Sequence, residues 1–237
     1  HWMYLNGVIL VSPTGLGMEP PGPGPRSEVL KLPYYTAAAW YHEQLPTDLQ
    51  NRDLTAILAE VENYTIETYL PAVSRGGFID DNRRQQVAAQ VARYAGLSEQ
   101  FVLDYNLAVP ASAFWKELLR DEGYTIGRLD SRYRGIDREN AGDSYDYPAE
   151  LTSWNHAFAP AINHYLRDEL GFETDLQYNV FGSVYPWNDE DNDTGEQLRQ
   201  AMAQNPFLHV MVQSGYYDGA TDYFSAKYVM WNLDRSG

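Results

Sequence analysis

The sequence predicts an α/β chain: two strands of a parallel sheet, one near each end, with a large and mostly helical insertion between them. Three observations predict it. Residues 5–11 and 208–213 are short, nearly continuous apolar runs, the pattern of strands buried on both faces of a parallel sheet. The segment between them repeats apolar residues at helical spacing, broken by short polar stretches. Ser12 to Pro25, which leaves the first run, is dense in proline and glycine and reads as a loop.

The first strand centres on Val8 to Val11, a β-branched and aliphatic run. Pro33 to Gln44 reads as a helix starting on a proline, which a first turn tolerates. Asp53 to Tyr69 is a stronger helix. Asp53 is a capping residue, and Leu54, Ile57, Leu58, Val61, Tyr64 and Thr65 fall on one face. In Asp80 to Ala95, Val87, Val91 and Tyr94 form the stripe and Gly96 the stop. Ser98 to Tyr105 and Ser112 to Glu122 follow, and the short loops between these helices predict neighbours packed in one helical unit. Tyr124 to Arg134 reads as extended and Gly135 to Asp146 as loop. A helix from Trp154 or Ala157 to Leu170 ends at Gly171, Asn188 to Gly195 is an acidic turn, and Glu196 to Ala203 is a further helix. The chain closes with strand Leu208 to Gln213, a turn from Ser214 to Ala220 and a helix from Asp222 to Leu233. This divides the chain into residues 1–32 (core strand and loop), 33–205 (mostly helical insertion) and 206–237 (core strand, acidic turn and helix). Two strands do not make a stable sheet, so the α/β core is expected to be incomplete in this chain.

Composition narrows the function classes. Thirty-three acidic residues against 17 basic ones give a net charge of −16. That disfavours a nucleic-acid partner, which needs a basic face, and an anionic membrane surface. No run reaches the ~18–20 apolar residues of a membrane span, and no signal peptide is visible at His1. The absence of cysteine excludes disulfides, thiolate metal sites and cysteine nucleophiles.

Most chemistry gathers in the strand–turn–helix unit from Leu208 to Asp222. In open α/β sheets, functional groups collect where strands end at their carboxyl edge. Asp218 stands there, in a turn that also holds Gly215 and Gly219. A carboxylate so placed either orients a histidine during acyl transfer or hydrogen-bonds the amides of its own turn. Asp222 is a second carboxylate, accounted for by capping the following helix.

The stretch Ser214-Gly-Tyr-Tyr-Asp218-Gly-Ala-Thr-Asp222-Tyr-Phe-Ser-Ala-Lys-Tyr228 resembles the segment around the triad aspartate of the serine carboxypeptidases, peptidase family S10. Asp218, not Asp222, matches the family's acid. Tyr4-Leu-Asn-Gly-Val-Ile-Leu-Val-Ser12 is similar to the strand that follows the nucleophile helix in bacterial members. Ile126-Gly-Arg-Leu-Asp-Ser-Arg-Tyr133 is similar to a stretch of their helical cap, and the segment from Pro33 to His42 also fits. The resemblance spans nearly the whole chain. It implies a partial α/β-hydrolase core with a large helical cap, acting on peptide substrates by removing C-terminal residues through a Ser-Asp-His acyl-enzyme mechanism, without a cofactor or metal. It also implies a secreted or periplasmic location.

The sequence departs from the family pattern in two places. It holds no Gly-x-Ser-x-Gly elbow, and none of the 19 residues after Asp218 is histidine. The five histidines, His1, His42, His156, His164 and His209, all precede it. The chain is therefore expected to be an internal fragment, inactive alone and dependent on further hydrolase segments or chains that carry the serine and histidine. The other expectation is a non-catalytic helical binding or assembly module derived from that fold.

Other constellations are weaker. His156 and His164, eight residues apart, diverge by roughly 80° on a helix and do not form a zinc pair. The acidic run from Asp189 to Gly195 places its glycine one position late for a calcium loop, and Gln200 takes the place of the closing glutamate. Gly15-Leu-Gly17 lacks the third glycine and helix start of a phosphate loop. The 19 tyrosines suit core packing or a substrate cleft. No residue is singled out for substrate binding.

Overall fold

The computed structural model describes residues 5–16, 25–176, 178–180, 182, 183, 186, 188 and 192–233. His1, most of the proline- and glycine-rich loop (with Gly17), and Asp189 to Asp191 of the acidic turn lie outside the described residues. The chain is mixed α/β and mostly helical. In order it forms strand β1 (Gly7–Val11), helices α1 (Pro25–Val29), α2 (Leu32–Tyr41), α3 (Thr47–Gln50), α4 (Leu54–Tyr64), α5 (Leu70–Ser74), α6 (Asp81–Ala95), α7 (Glu99–Asp104) and α8 (Ala111–Glu117), short strands β2 (Thr125–Ile126) and β3 (Arg134–Gly135), helices α9 (Leu151–His164) and α10 (Thr194–Gln204), strand β4 (His209–Gln213) and helix α11 (Tyr223–Leu233).

Helix α2 is the centre of the helical body. Every residue from Leu32 to Ala39 is buried, which fits a helix apolar on all sides. Helices α4 and α6 pack against it. Tyr35 stacks on Phe114 of α8 at 4.1 Å and donates its hydroxyl to the carbonyl of Val109 at 2.9 Å. Tyr69, in the π-helical turn that joins α4 to α5, likewise donates to the Leu107 carbonyl. The caps follow the sequence. Asp53 accepts from the amides of Thr55 and Ala56, Asp80 from that of Arg83, and Ser98 from that of Phe101. Gly96 ends α6 in the left-handed region at φ 66°. A Cβ there would lie 3.1 Å from that of Ala39, so glycine serves both the turn and the close approach to α2.

Lys116 of α8 is buried, with its side chain 2% exposed, and its ammonium meets Asp137 and the carbonyl of Glu139, each at 2.6 Å. Asp137 accepts the amide of Asp146 through its other oxygen. Arg120 donates to the carbonyls of Asn140 and Gly142. These bonds fasten the loop predicted over Gly135 to Asp146 to the helical body.

The strand expectation needs a correction. β1 and β4 pair in parallel, in register from Gly7↔His209 to Val11↔Gln213, but no residue of either strand is buried. Ile9 and Val11 are 63% and 70% exposed. The apolar runs do form adjacent strands of one parallel sheet. Their burial fails because, among the described residues, each pairs only with the other and no helix covers the pair on both faces. The extended reading of Tyr124 to Arg134 holds only at its ends, where Thr125 and Ile126 pair antiparallel with Gly135 and Arg134. Residues 127–133 form a compact loop closed by Gly127 donating to the Tyr133 carbonyl at 2.9 Å.

Helix α9 starts earlier than predicted, at Leu151, runs through Pro160 and continues as a π-helical turn to Glu169. None of its residues is buried. Phe158, Tyr165, Leu170, Phe172 and Leu176 are exposed along this arm. Helix α11, in contrast, is anchored. Tyr223 and Phe224 pack with Leu30, Ala37 and Leu58.

Replacing Lys116 by Met strands the Asp137 carboxylate in the interior. The variant is expected to lose about 3–5 kcal/mol of stability. Lys116→Met combined with Asp137→Leu should recover most of that loss in urea unfolding.

Candidate functional site

The carboxyl edge of the β1–β4 pair is the candidate site. Parallel pairing brings the segment after each strand to the same edge, and Ser12 extends the ladder by donating to the Gln213 carbonyl at 2.8 Å. Beyond it lies a cavity of about 190 Å³, lined by residues that include Thr14 after β1, Ser27 and Lys31, and Thr221, Asp222 and Ser225 at the start of α11.

Asp218 is half-buried in the turn between β4 and α11. Its Oδ1 accepts the amides of Ala220 and Thr221 at 2.9 and 3.0 Å, and its Oδ2 accepts the Thr221 hydroxyl at 2.8 Å. The turn-capping reading of this carboxylate is realised. Each carboxylate oxygen offers about two acceptor positions, so Oδ2, with one bond, retains room for a further N–H donor. Asp222 does what its position predicts: it is buried and its Oδ1 accepts the amide of Ser225 at 2.8 Å at the head of α11.

The turn is held from the helical body at both neighbours of Asp218. Gly219 donates its amide to the Arg128 carbonyl at 2.9 Å, and the Tyr217 carbonyl accepts the amide of Ser131 at 2.9 Å. Gly219 sits against a polar floor. Trp115 Nε1 donates to Tyr34 Oη at 2.7 Å, and a Cβ on Gly219 would fall 2.3 Å from that hydroxyl and 2.9 Å from the indole nitrogen. Burial raises the Tyr34 pKa far above the ordinary phenol value, so it stays a neutral hydroxyl. Tyr217 packs edge-on to Tyr41 and lies under the Arg132 guanidinium, 5.1 Å from its ring centre.

His42 is buried, and its Nε2 lies 2.7 Å from the Ser131 carbonyl. A carbonyl only accepts, so Nε2 carries the proton and Nδ1 is the bare nitrogen, buried without a partner. Burial lowers the His42 pKa below the usual imidazole value. The Ser131 carbonyl and Glu122 oppose this, while Arg134 adds to it.

The structure brings Asp218 and Asp222 together at one edge and gathers no histidine to Asp218 among the described residues. His164 instead pairs with Asp168 on the exposed arm. Among the described residues, no group of three or more His, Asp or Glu side chains is placed to hold a metal, and no helix is long and apolar enough to cross a membrane. Sequence reasoning missed Tyr34, His42, Trp115 and Ser131. Their partners lie as far as 89 residues away, as in His42–Ser131, and no local pattern marks such pairs. No family model, curated protein or solved structure matches this chain.

Two predictions follow from this geometry. Gly219→Ala forces the turn off the Tyr34–Trp115 floor and is expected to cost about 1–3 kcal/mol in chemical denaturation. The second concerns pH. The folded His42 pKa lies below the unfolded value of about 6.5, so below that pH the unfolded chain binds more protons. Stability should therefore fall as pH drops through about 6.5 towards the folded pKa. His42→Gln should lack this component, seen as a flatter stability–pH curve than the parent's over that window.

Proposed function

We propose that this chain is part of a serine carboxypeptidase-like hydrolase, which removes C-terminal residues from peptides, and that Asp218 is the acid of its Ser-Asp-His unit. The observation that carries the reading is the parallel pairing of β1 with β4. The two segments that resemble sheet strands of that family are separated by nearly the whole chain, yet they are neighbours in register and share a carboxyl edge. The mostly helical region leaves from the end of β1 and returns to the start of β4, as expected for a cap inserted into a hydrolase sheet.

In the proposed reaction a serine hydroxyl attacks the carbonyl of the last peptide bond while a histidine takes its proton. The tetrahedral intermediate collapses, the histidine hands the proton to the leaving amine, and water then releases the acyl group by the same route. Asp218 accepts the N–H of that histidine, fixes its tautomer and stabilises its imidazolium form. The serine and histidine come from segments outside this sequence, which holds no Gly-x-Ser-x-Gly elbow and no histidine after Asp218. The carboxylate's bonds to Ala220 and Thr221 orient it and leave Oδ2 acceptor capacity for the imidazole.

A second reading, a non-catalytic binding or assembly module of this fold, draws on the exposed apolar arm around α9. Fluorophosphonate labelling separates the two. The isolated chain is expected to remain unlabelled. The product of the gene including its flanking sequence is expected to be labelled once, and Asp218→Asn in it should lower kcat about 10³–10⁴-fold. A flanking sequence with no serine elbow, or an Asp218→Asn variant of full activity, refutes the hydrolase reading.

A further inference from the structure

We infer that the loop from Arg128 to Ser131, anchored by His42, is the positioning element of the Asp218 turn; its catalytic relevance rests on the acid role proposed above. The bonds Asp218 makes within its own turn set the shape of that turn, not its location. Location requires contacts with the rest of the chain. β4 supplies little, because it pairs with a strand that is itself exposed. Helix α11 adds ring packing: Tyr223 lies edge-on to Tyr216 at 4.9 Å, and Tyr217 packs against the cluster that holds Tyr223 and Phe224. Beside the seat of Gly219 on the Tyr34–Trp115 floor and the packing of Tyr217 on Tyr41, two backbone bonds among the described residues tie the turn to the helical body, one on either neighbour of Asp218: Gly219 to the Arg128 carbonyl and Ser131 to the Tyr217 carbonyl. Both use the same four-residue loop.

That loop is fixed from behind. The Ser131 carbonyl accepts from Nε2 of His42, the residue that follows α2, and the Leu129 amide donates to the fully buried Glu150 at 2.8 Å. Gly127, at its base, has no room for a side chain. A Cβ would lie 2.3 Å from both the Asp130 carbonyl oxygen and Glu150 Oε2. Asp130 grips Arg132 through two bonds of 2.9 and 2.7 Å, which keeps the guanidinium over Tyr217. His42 is thus a positioning residue: it touches neither Asp218 nor the cavity beside it, and acts through Ser131 and Tyr217.

Amide hydrogen exchange followed by NMR on this chain tests the coupling. In His42→Leu the donor is lost, and the amides of Ser131 and Gly219 should exchange at least about tenfold faster, while those of Val91 and Ala92 in α6 keep their rates. His42→Gln, whose amide nitrogen has similar reach, should restore most of the protection. If His42→Leu does not fold, Gly127→Ala displaces the loop without touching the turn and should give the same selective acceleration. Unchanged protection at Ser131 and Gly219, or a uniform acceleration across the chain, overturns the inference. Its failure is distinct from that of the hydrolase reading. Labelling of the longer protein can succeed with exchange unchanged, and selective exchange can stand where no labelling occurs.

Discussion

The hydrogen bond from Trp115 to Tyr34 closes a polar floor in the helical body, and the Asp218 turn rests on it through Gly219. Both partners belong to helices of the buried core, so their position is fixed by packing far from the turn. Tyr34 lies on α2, enclosed along its length, and Trp115 on α8, whose Phe114 stacks on Tyr35. A buried phenol and a buried indole would each carry a desolvation cost if left alone. Satisfying one another, they can support a close backbone contact. Only glycine allows that contact, because any Cβ would occupy the hydroxyl's place. The β4 unit is thereby seated on the helical body at one defined spot.

The sheet has the opposite character. A parallel pair is ordinarily covered on both faces, which is why its strands are apolar at every position. Here the sequence supplies that composition, and the described residues supply one neighbour per strand and no full cover. The side chains of Ile9, Val11 and Met211 are exposed as a result, apolar groups on a strand pair that lacks the cover such strands usually have. The same logic applies to α9. A helix of 14 residues with no buried side chain, a proline within it and apolar groups on its surface gains little from its own packing.

What was legible in the sequence follows from the range of each interaction. Helices around Leu54, Val87 and Phe101 were readable because their stripes and caps lie within one or two turns of the residues they stabilise. Asp53, Asp80, Ser98 and Gly96 all act where their chemistry predicts. The short α3 was missed, since four residues carry no periodicity, and α1 was hidden beside the proline-rich loop. The strands were legible as strands, but their burial was not. Burial belongs to neighbours, and Val8 to Val11 reads the same whether or not a helix lies over it. At the site, Asp218 and Asp222 were readable from the turn glycines and the helix start. The clasp that holds the turn was not, because His42, Tyr34 and Trp115 look like ordinary core residues until the chain brings them to Ser131 and Gly219.

The engagement of Asp218 with its own turn bears on its chemistry in a particular way. An acid that steadies an imidazolium must keep its carboxylate plane fixed while charge develops on its neighbour, since each degree of freedom left to it would be lost in the transition state. Bonds from the amides of Ala220 and Thr221 lock one oxygen, and the Thr221 hydroxyl holds the other by a single contact. Rotation about the carboxyl bond is thus stopped without exhausting the acceptor positions of Oδ2. The capping role and the proposed acid role call for the same arrangement. The amides that make Asp218 a turn residue are the same groups that would make it a rigid acid, and what decides between them is whether an imidazole is brought to the remaining lone pair.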